Sequence, residues 1–341
     1  MKTKKSLFLM VLLSLLIALF MGCNNGSTDP EPEPPPPYVP TTTVYTAGYY
    51  YNGTNSVACY WKDGSKTNLP GANAKATAIA VVGSDVYVAG YYWNDSNFVA
   101  CYWENGTKTD LYTTHDSYAN AIVVVGGDVY VAGQYNDGPN YLACYWKGTT
   151  MTPLSTGDSN AYAIAVVGLD VYVAGQYWNP NSVACYWKNT EAAITDLYTT
   201  ANSIANAITV VGSDVYIAGY YNNGSGTDLA CYWKGTAKTD LSTAQSSANA
   251  IAVAGSDVYT AGVYDNGFDT ACYWKGTAKT DLPGAGFDAN ACAIAVAGSD
   301  VYAAGQYWSG SDYLACYWKN GTKTDLSTEE SYATGIAVIV E

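Results

Sequence analysis

Few residues in this chain can do covalent or acid–base chemistry. His115 is the only histidine, which argues against a histidine-rich metal site and against a two-histidine relay. Next to Asp116 it reads as a surface pair rather than an acid–base couple. Asp158, Glu329 and Glu330 are loop carboxylates, and two such groups a few ångströms apart would permit glycoside hydrolysis. Spacing along the chain does not establish that separation. The stretches Asp265–Asp269 and Asn222–Asp228 offer oxygen ligands for calcium without the ligand spacing of an EF-hand, and turn chemistry accounts for both. No catalytic residue, metal or cofactor is assigned, and a non-enzymatic role is the expectation.

Aromatic residues are the stronger signal. One variable position reads Tyr51, Trp93, Asn136, Trp178, Asn222, Asp265 and Trp308 in successive copies of a repeat. Exposed rings in an arc offer apolar planes on which pyranose rings stack. Asn94, Asp95, Asn97 and Asp312 stand beside them as hydrogen-bonding partners. The plainer alternative is that these rings only cover the rim of the fold.

Such residues need a scaffold, and the repeat supplies it. Ala-Cys-Tyr-Trp occurs seven times, its cysteines being Cys59, Cys101, Cys144, Cys185, Cys231, Cys272 and Cys316, spaced by 42, 43, 41, 46, 41 and 44 residues. A period of this size marks one supersecondary unit copied in series. One copy reads Ala78–Val82, Gly-Ser-Asp, Val86–Tyr92, a loop, Val99–Trp103, Asn-Gly, then Thr107–Leu111. Short β-branched and aromatic runs separated by hairpin turn signals predict four antiparallel strands, A to D. The first copy lacks strand A, and the chain ends on a lone strand A at Gly335–Val340. Joined, the two complete a seventh blade. The expectation is therefore an all-β, seven-bladed β-propeller of four-stranded blades over residues 44–341, closed by the C-terminal strand and left without free inner edges.

Within that fold the recurring residues read as structure. Trp61, Trp103, Trp146, Trp187, Trp233, Trp274 and Trp318 are expected between blades. The tyrosines of the Tyr92 type are expected to be structural too, and the Asp85-type residues to be turn formers. Equivalent cysteines of adjacent blades lie beyond bridging reach, so buried thiols are expected. A second variable ring opens strand A: Thr77, Asn120, Tyr162, Asn206, Asn249, Cys292 and Thr334. With strand A innermost, these would line one mouth of the central channel, solvated or holding a small polar ligand. The B–C and D–A loops, whose lengths drift, share one face.

The N-terminus has a different character. Lys2, Lys4 and Lys5 precede an apolar run from Leu7 to Met21, and Gly22-Cys23 follows where a cleavage site belongs. Residues 1–22 thus read as a signal peptide of lipoprotein type, with Cys23 as the lipidated residue. Residues 23–43, rich in proline, read as a semi-rigid spacer. The formal net charge is −14 and all the basic residues are lysines. That balance speaks against nucleic acid as a partner.

The tandem units resemble kelch-type repeats, and also the Ala-x-Tyr-Trp propeller repeats of bacterial lipid-anchored envelope proteins. The resemblance covers roughly residues 44–340. It departs from kelch at Ala89-Gly90, where two glycines are usual. It implies a propeller fold and an envelope location, in the outer membrane or at the cell surface, and it carries over no catalytic residue. The expected protein is a monomeric binding or adhesion module tethered to a membrane, with a glycan, another polar polymer or a protein as ligand. A carbohydrate-active enzyme is the alternative.

Overall fold

The computed structural model describes residues 40–341 apart from 285 and 287, and only the backbone of 191 and 192. The signal segment, Cys23 and most of the proline-rich spacer lie outside the described residues. All regular elements described are strands, grouped into seven four-stranded sheets. Blade 2 gives the pattern. Its strand A is Ala72–Val82, B is Asp85–Trp93, C is Phe98–Glu104 and D is Thr107–Tyr112. Neighbouring strands are antiparallel and follow chain order.

Blade 1 closes the ring as the sequence predicts. Ser331–Val340 supplies its strand A and pairs antiparallel with Thr42–Tyr51, Thr42 facing Val340. Thr41 and Glu341 then exchange two backbone hydrogen bonds of 2.9 and 3.0 Å. The ring thus closes on itself, and strand B of every blade is paired on both sides.

The core lies between blades. Trp103 of blade 2 is fully buried against Ala47 and Ala58 of blade 1, with Leu69, Ala76 and Val88 completing its surroundings. Each of the seven motif tryptophans is similarly buried, and small alanines on the neighbouring strands make room for the indoles. The indole N–H of Trp103 donates to the Pro70 carbonyl and that of Trp318 to the Pro283 carbonyl, both at 2.9 Å. Those of Trp61, Trp146, Trp233 and Trp274 have no partner among the described residues. The motif cysteines are free and buried, and burial pushes thiols such as Cys101 and Cys144 well above their ordinary range.

A bulge recurs on every strand A. Pairing with strand B skips one residue, and the residues skipped are Thr77, Asn120, Tyr162, Asn206, Asn249, Cys292 and Thr334. The bulge drives the preceding carbonyl toward strand B. A Cβ at Gly90 would sit 2.1 Å from the Lys75 oxygen, and one at Gly133 1.9 Å from that of Tyr118. This is why strand B carries one glycine at a fixed place.

The Asp85-type residues follow the A–B turns and open strand B, and among the described residues their carboxylates are not bonded to backbone N–H groups. Asp128, Asp170, Asp214, Asp257 and Asp300 instead pair with Lys147, Lys188, Lys234, Lys275 and Lys319 at 2.7–2.8 Å. Strand B opens beside the end of strand C, so the two charges meet across the sheet. The strand-B N–H is taken by the C–D turn, as where Val86 donates to Asn105 Oδ1 at 2.9 Å. Blade 4 differs from the others in its C–D connection. Strand D begins there at Thr190, and the register jumps from Lys188↔Thr190 to Trp187↔Ile194.

Candidate binding face

The B–C and D–A loops share one face, opposite the A–B and C–D turns. Rings from strands A, B and C of blades 7, 1, 2 and 3 converge there in two groups. In the first, Trp308 meets Tyr313 (centroids 5.1 Å apart), Tyr313 meets Tyr332 across the blade 7/blade 1 junction (5.9 Å), and Tyr332 stacks on Tyr49 (4.9 Å). In the second, Trp93 meets Phe98 (5.1 Å), while Tyr91 and Phe98 both meet Tyr118 of blade 3 (4.8 and 5.7 Å). Tyr141 extends this group at 6.0 Å from Tyr118. Between the groups stands Lys75, paired in register with Tyr91 and with its Nζ 4.6 Å from the Tyr49 centroid. All these rings are half-buried, and Tyr49 carries both the stacked Tyr332 ring and the Lys75 ammonium group.

Sequence reasoning found the ends of this crescent and missed its middle. Trp308, Tyr51 and Trp93 do fall on adjacent blades, and Tyr51 is 44% exposed. Trp178, 48% exposed, stands apart on blade 4. Tyr49, Tyr91, Tyr118 and Tyr332 were not singled out. For Tyr49 and Tyr91 the signal was present: the residue after the strand-B glycine is Tyr49, Tyr91, Gln134, Gln176, Tyr220, Val263 and Gln306 in turn. That position varies between two constant ones and faces the same mouth.

The polar residues named beside the arc serve their own loops first. Asn94 Oδ1 accepts the N–H groups of Ser96 and Asn97 at 3.1 and 2.8 Å. Asp95 holds a positive φ of 74° at the loop tip. Asp312 accepts the Ser311 hydroxyl at 2.9 Å. Near the crescent, Asp116 accepts the Phe98 N–H at 2.8 Å and forms no ion pair with His115. Glu330 accepts the Tyr332 hydroxyl at 3.1 Å, while Glu329 pairs with Lys66. Asp158 belongs to the junction of blades 3 and 4, away from the two glutamates.

The strand-A ring is largely committed to holding blades together. Thr77 donates to the Ala119 carbonyl (2.7 Å), Asn120 to Ala161 (2.8 Å), and Asn206, Asn249 and Thr334 to Ala248, Ala291 and Ala76 (3.0 Å each). Each acceptor lies on the next blade. Tyr162 and Cys292 turn inward within their own blades instead: Tyr162 accepts from Gln176 Nε2 at 3.1 Å, and the Cys292 thiol lies 3.4 Å from Gln306 Oε1.

The electrostatics of this face are negative. Burial comes first in pushing the Tyr332 phenol up to about 12, and Glu330 adds to it. Tyr313 is raised by burial, then by the charges of Asp288 and Asp269. Between blades 5 and 6 a cleft of about 260 Å³ is lined by Tyr220, Gln245, Asp228, Asp265 and Asp269. Among the described residues no three His, Cys, Asp or Glu side chains gather as metal ligands. The two loops weighed for calcium are closed by their own bonds: Asp265 accepts the Gly267 N–H at 2.7 Å, and Asn222 Nδ2 donates to Asp228 at 2.9 Å.

Fold and face together define a seven-bladed β-propeller with an aromatic, acidic mouth. No protein-family model matches the chain, and no curated protein matches it. Among solved structures it is similar to TolB from Acinetobacter baumannii, with a TM-score of 0.51 and 6% identity. The superposition covers 72% of this chain and 64% of that one, less than two thirds of the relative's length. At that identity the likeness concerns the fold alone.

Proposed function

We propose that the chain is a non-enzymatic binding module of the bacterial cell envelope, lipid-anchored at Cys23, that holds a glycan on the aromatic crescent. The observation that carries this reading is the crescent itself. Half-buried rings on four consecutive blades, carried on strands, form a preorganised stacking surface for a polymer of rings. Asn and Asp side chains at its edge supply directional bonds. A broad glycan array probed with residues 40–341 tests the proposal. Retention of at least one glycan class is expected, and an empty array with a folded protein would sink it.

A further inference from the structure

Lysines in this propeller follow the repeat almost without exception. Those of strand C and strand D lie over tyrosine rings or beside carboxylates, and among the described residues nine pair with aspartates and Lys66 pairs with Glu329. Most of the turn and outer-strand charge is thereby neutralised locally. The loop face is different. Asp95, Asp116, Asp288, Asp312 and Glu330 surround the crescent without a lysine partner. Asp116, Asp288, Asp312 and Glu330 accept only neutral donors: the Phe98 N–H, the Asp269 N–H, the Ser311 hydroxyl and the Tyr332 hydroxyl. A neutral donor leaves the carboxylate's full charge in place. Further round the ring the carboxyl of Asp269 is raised by burial, then by the charges of Asp288 and Asp265. Burial is the larger cause, and the neighbouring carboxylates add to it. Much of the net charge of −14 therefore stands on the face that carries the rings.

Lys75 is the one described lysine on a strand A, outside the repeat pattern. Its ammonium group sits over the Tyr49 ring, so the crescent already holds one primary ammonium on an aromatic face. Tyrosine faces carry the negative side of the ring quadrupole and attract such groups. Rings for stacking, a tyrosine face that holds an ammonium group and an acidic rim fit one kind of glycan.

We infer that the glycan held on the crescent is cationic: an amino-sugar oligomer with free ammonium groups, its rings stacked on the aromatics and its charges facing Asp116, Asp312 and Glu330. This rests on the glycan reading and adds the ligand's charge. A neutral N-acetylated oligomer would keep the stacking and lose the charge complementarity. A uronate oligomer would meet the acidic rim with charge of the wrong sign.

Calorimetric titration of residues 40–341 at mildly acidic pH, where sugar amines are protonated and carboxylates ionised, tests this. The probes are glucosamine hexamer, N-acetylglucosamine hexamer, galacturonate hexamer and hexalysine. The glucosamine hexamer is expected to bind roughly tenfold tighter than its acetylated counterpart. That advantage should shrink with added salt, whose screening length is about 8 Å at physiological strength, and in an Asp312→Asn/Glu330→Gln variant. Equal affinity for the two glucosamine hexamers would overturn the inference and leave the glycan reading standing. Preference for the uronate would also overturn it and make Lys75 the recognition group. Binding of hexalysine alone would overturn the inference and the glycan reading together, and no binding by any probe would overturn the inference.

Discussion

The carbonyl oxygen of Tyr118 fills the space that a side chain on Gly133 would need: a Cβ there would lie 1.9 Å from it. The same tyrosine sends its ring into the crescent, 4.8 Å from Tyr91. One strand-A bulge thus sets both the glycine requirement of strand B and the placement of an aromatic on the binding face. Gly133→Ala should destabilise the propeller by roughly 2–3 kcal/mol, the cost of overpacking where backbone must move. Chemical denaturation against the wild type measures it, and an unchanged midpoint would show that the bulge is not rigid.

The buried indoles make a second, comparative prediction. Trp318 donates to the Pro283 carbonyl, while Trp233 buries its N–H without a partner among the described residues. Replacement by phenylalanine removes similar volume at both sites. Trp318→Phe strands an acceptor, whereas Trp233→Phe removes an unsatisfied donor. Trp233→Phe should therefore be the milder change by about 1–3 kcal/mol. Thermal unfolding of the two variants decides it, and equal losses would mean that the Trp233 N–H is satisfied in solution.

Stability should fall on the alkaline side. Burial raises the thiols of Cys101, Cys144, Cys185, Cys231 and Cys316 above their ordinary 9.0, and it leads in raising the phenol of Tyr332 from 10.0 to about 12. Raised native values mean that the unfolded chain loses these protons first. Below about pH 9 both states keep them and the contribution is intact; above it the native state holds more protons, and stability declines with pH. Urea midpoints should be level near neutrality and drop steeply above about pH 9. A flat profile through that range would contradict the burial of the thiols.

How much was legible in the sequence follows from what repeats. Seven copies of one motif, with strand A missing at one end and left over at the other, specified blade number and closure, and Ser331–Val340 pairs with Thr42–Tyr51 accordingly. The burial of Trp103 and its equivalents followed from recurrence too. Pairing across strands was less visible. That Asp128 meets Lys147 depends on which residues of strands B and C end side by side, which the turn motif alone does not give. Thr77 and its equivalents were placed at the inner mouth, but the bulge that turns them toward the next blade's carbonyl leaves no mark in composition. The crescent was legible only at Trp93 and Trp308. Its inner tyrosines come together through contacts between blades, as Tyr313 with Tyr332, that no single repeat contains.

Glycan binding mapped onto the crescent is the most direct test of the account. Wild-type residues 40–341, Trp93→Ala/Trp308→Ala and Trp178→Ala should be compared on one glycan array, with folding checked by circular dichroism. Loss of the stacking rings should abolish retention in the double variant, since aromatic contacts of this kind contribute on the order of 1 kcal/mol each. Trp178→Ala, altered on blade 4 away from the crescent, should bind like the wild type. Undiminished binding by the double variant, or equal loss in Trp178→Ala, would contradict the assignment of the site to this face.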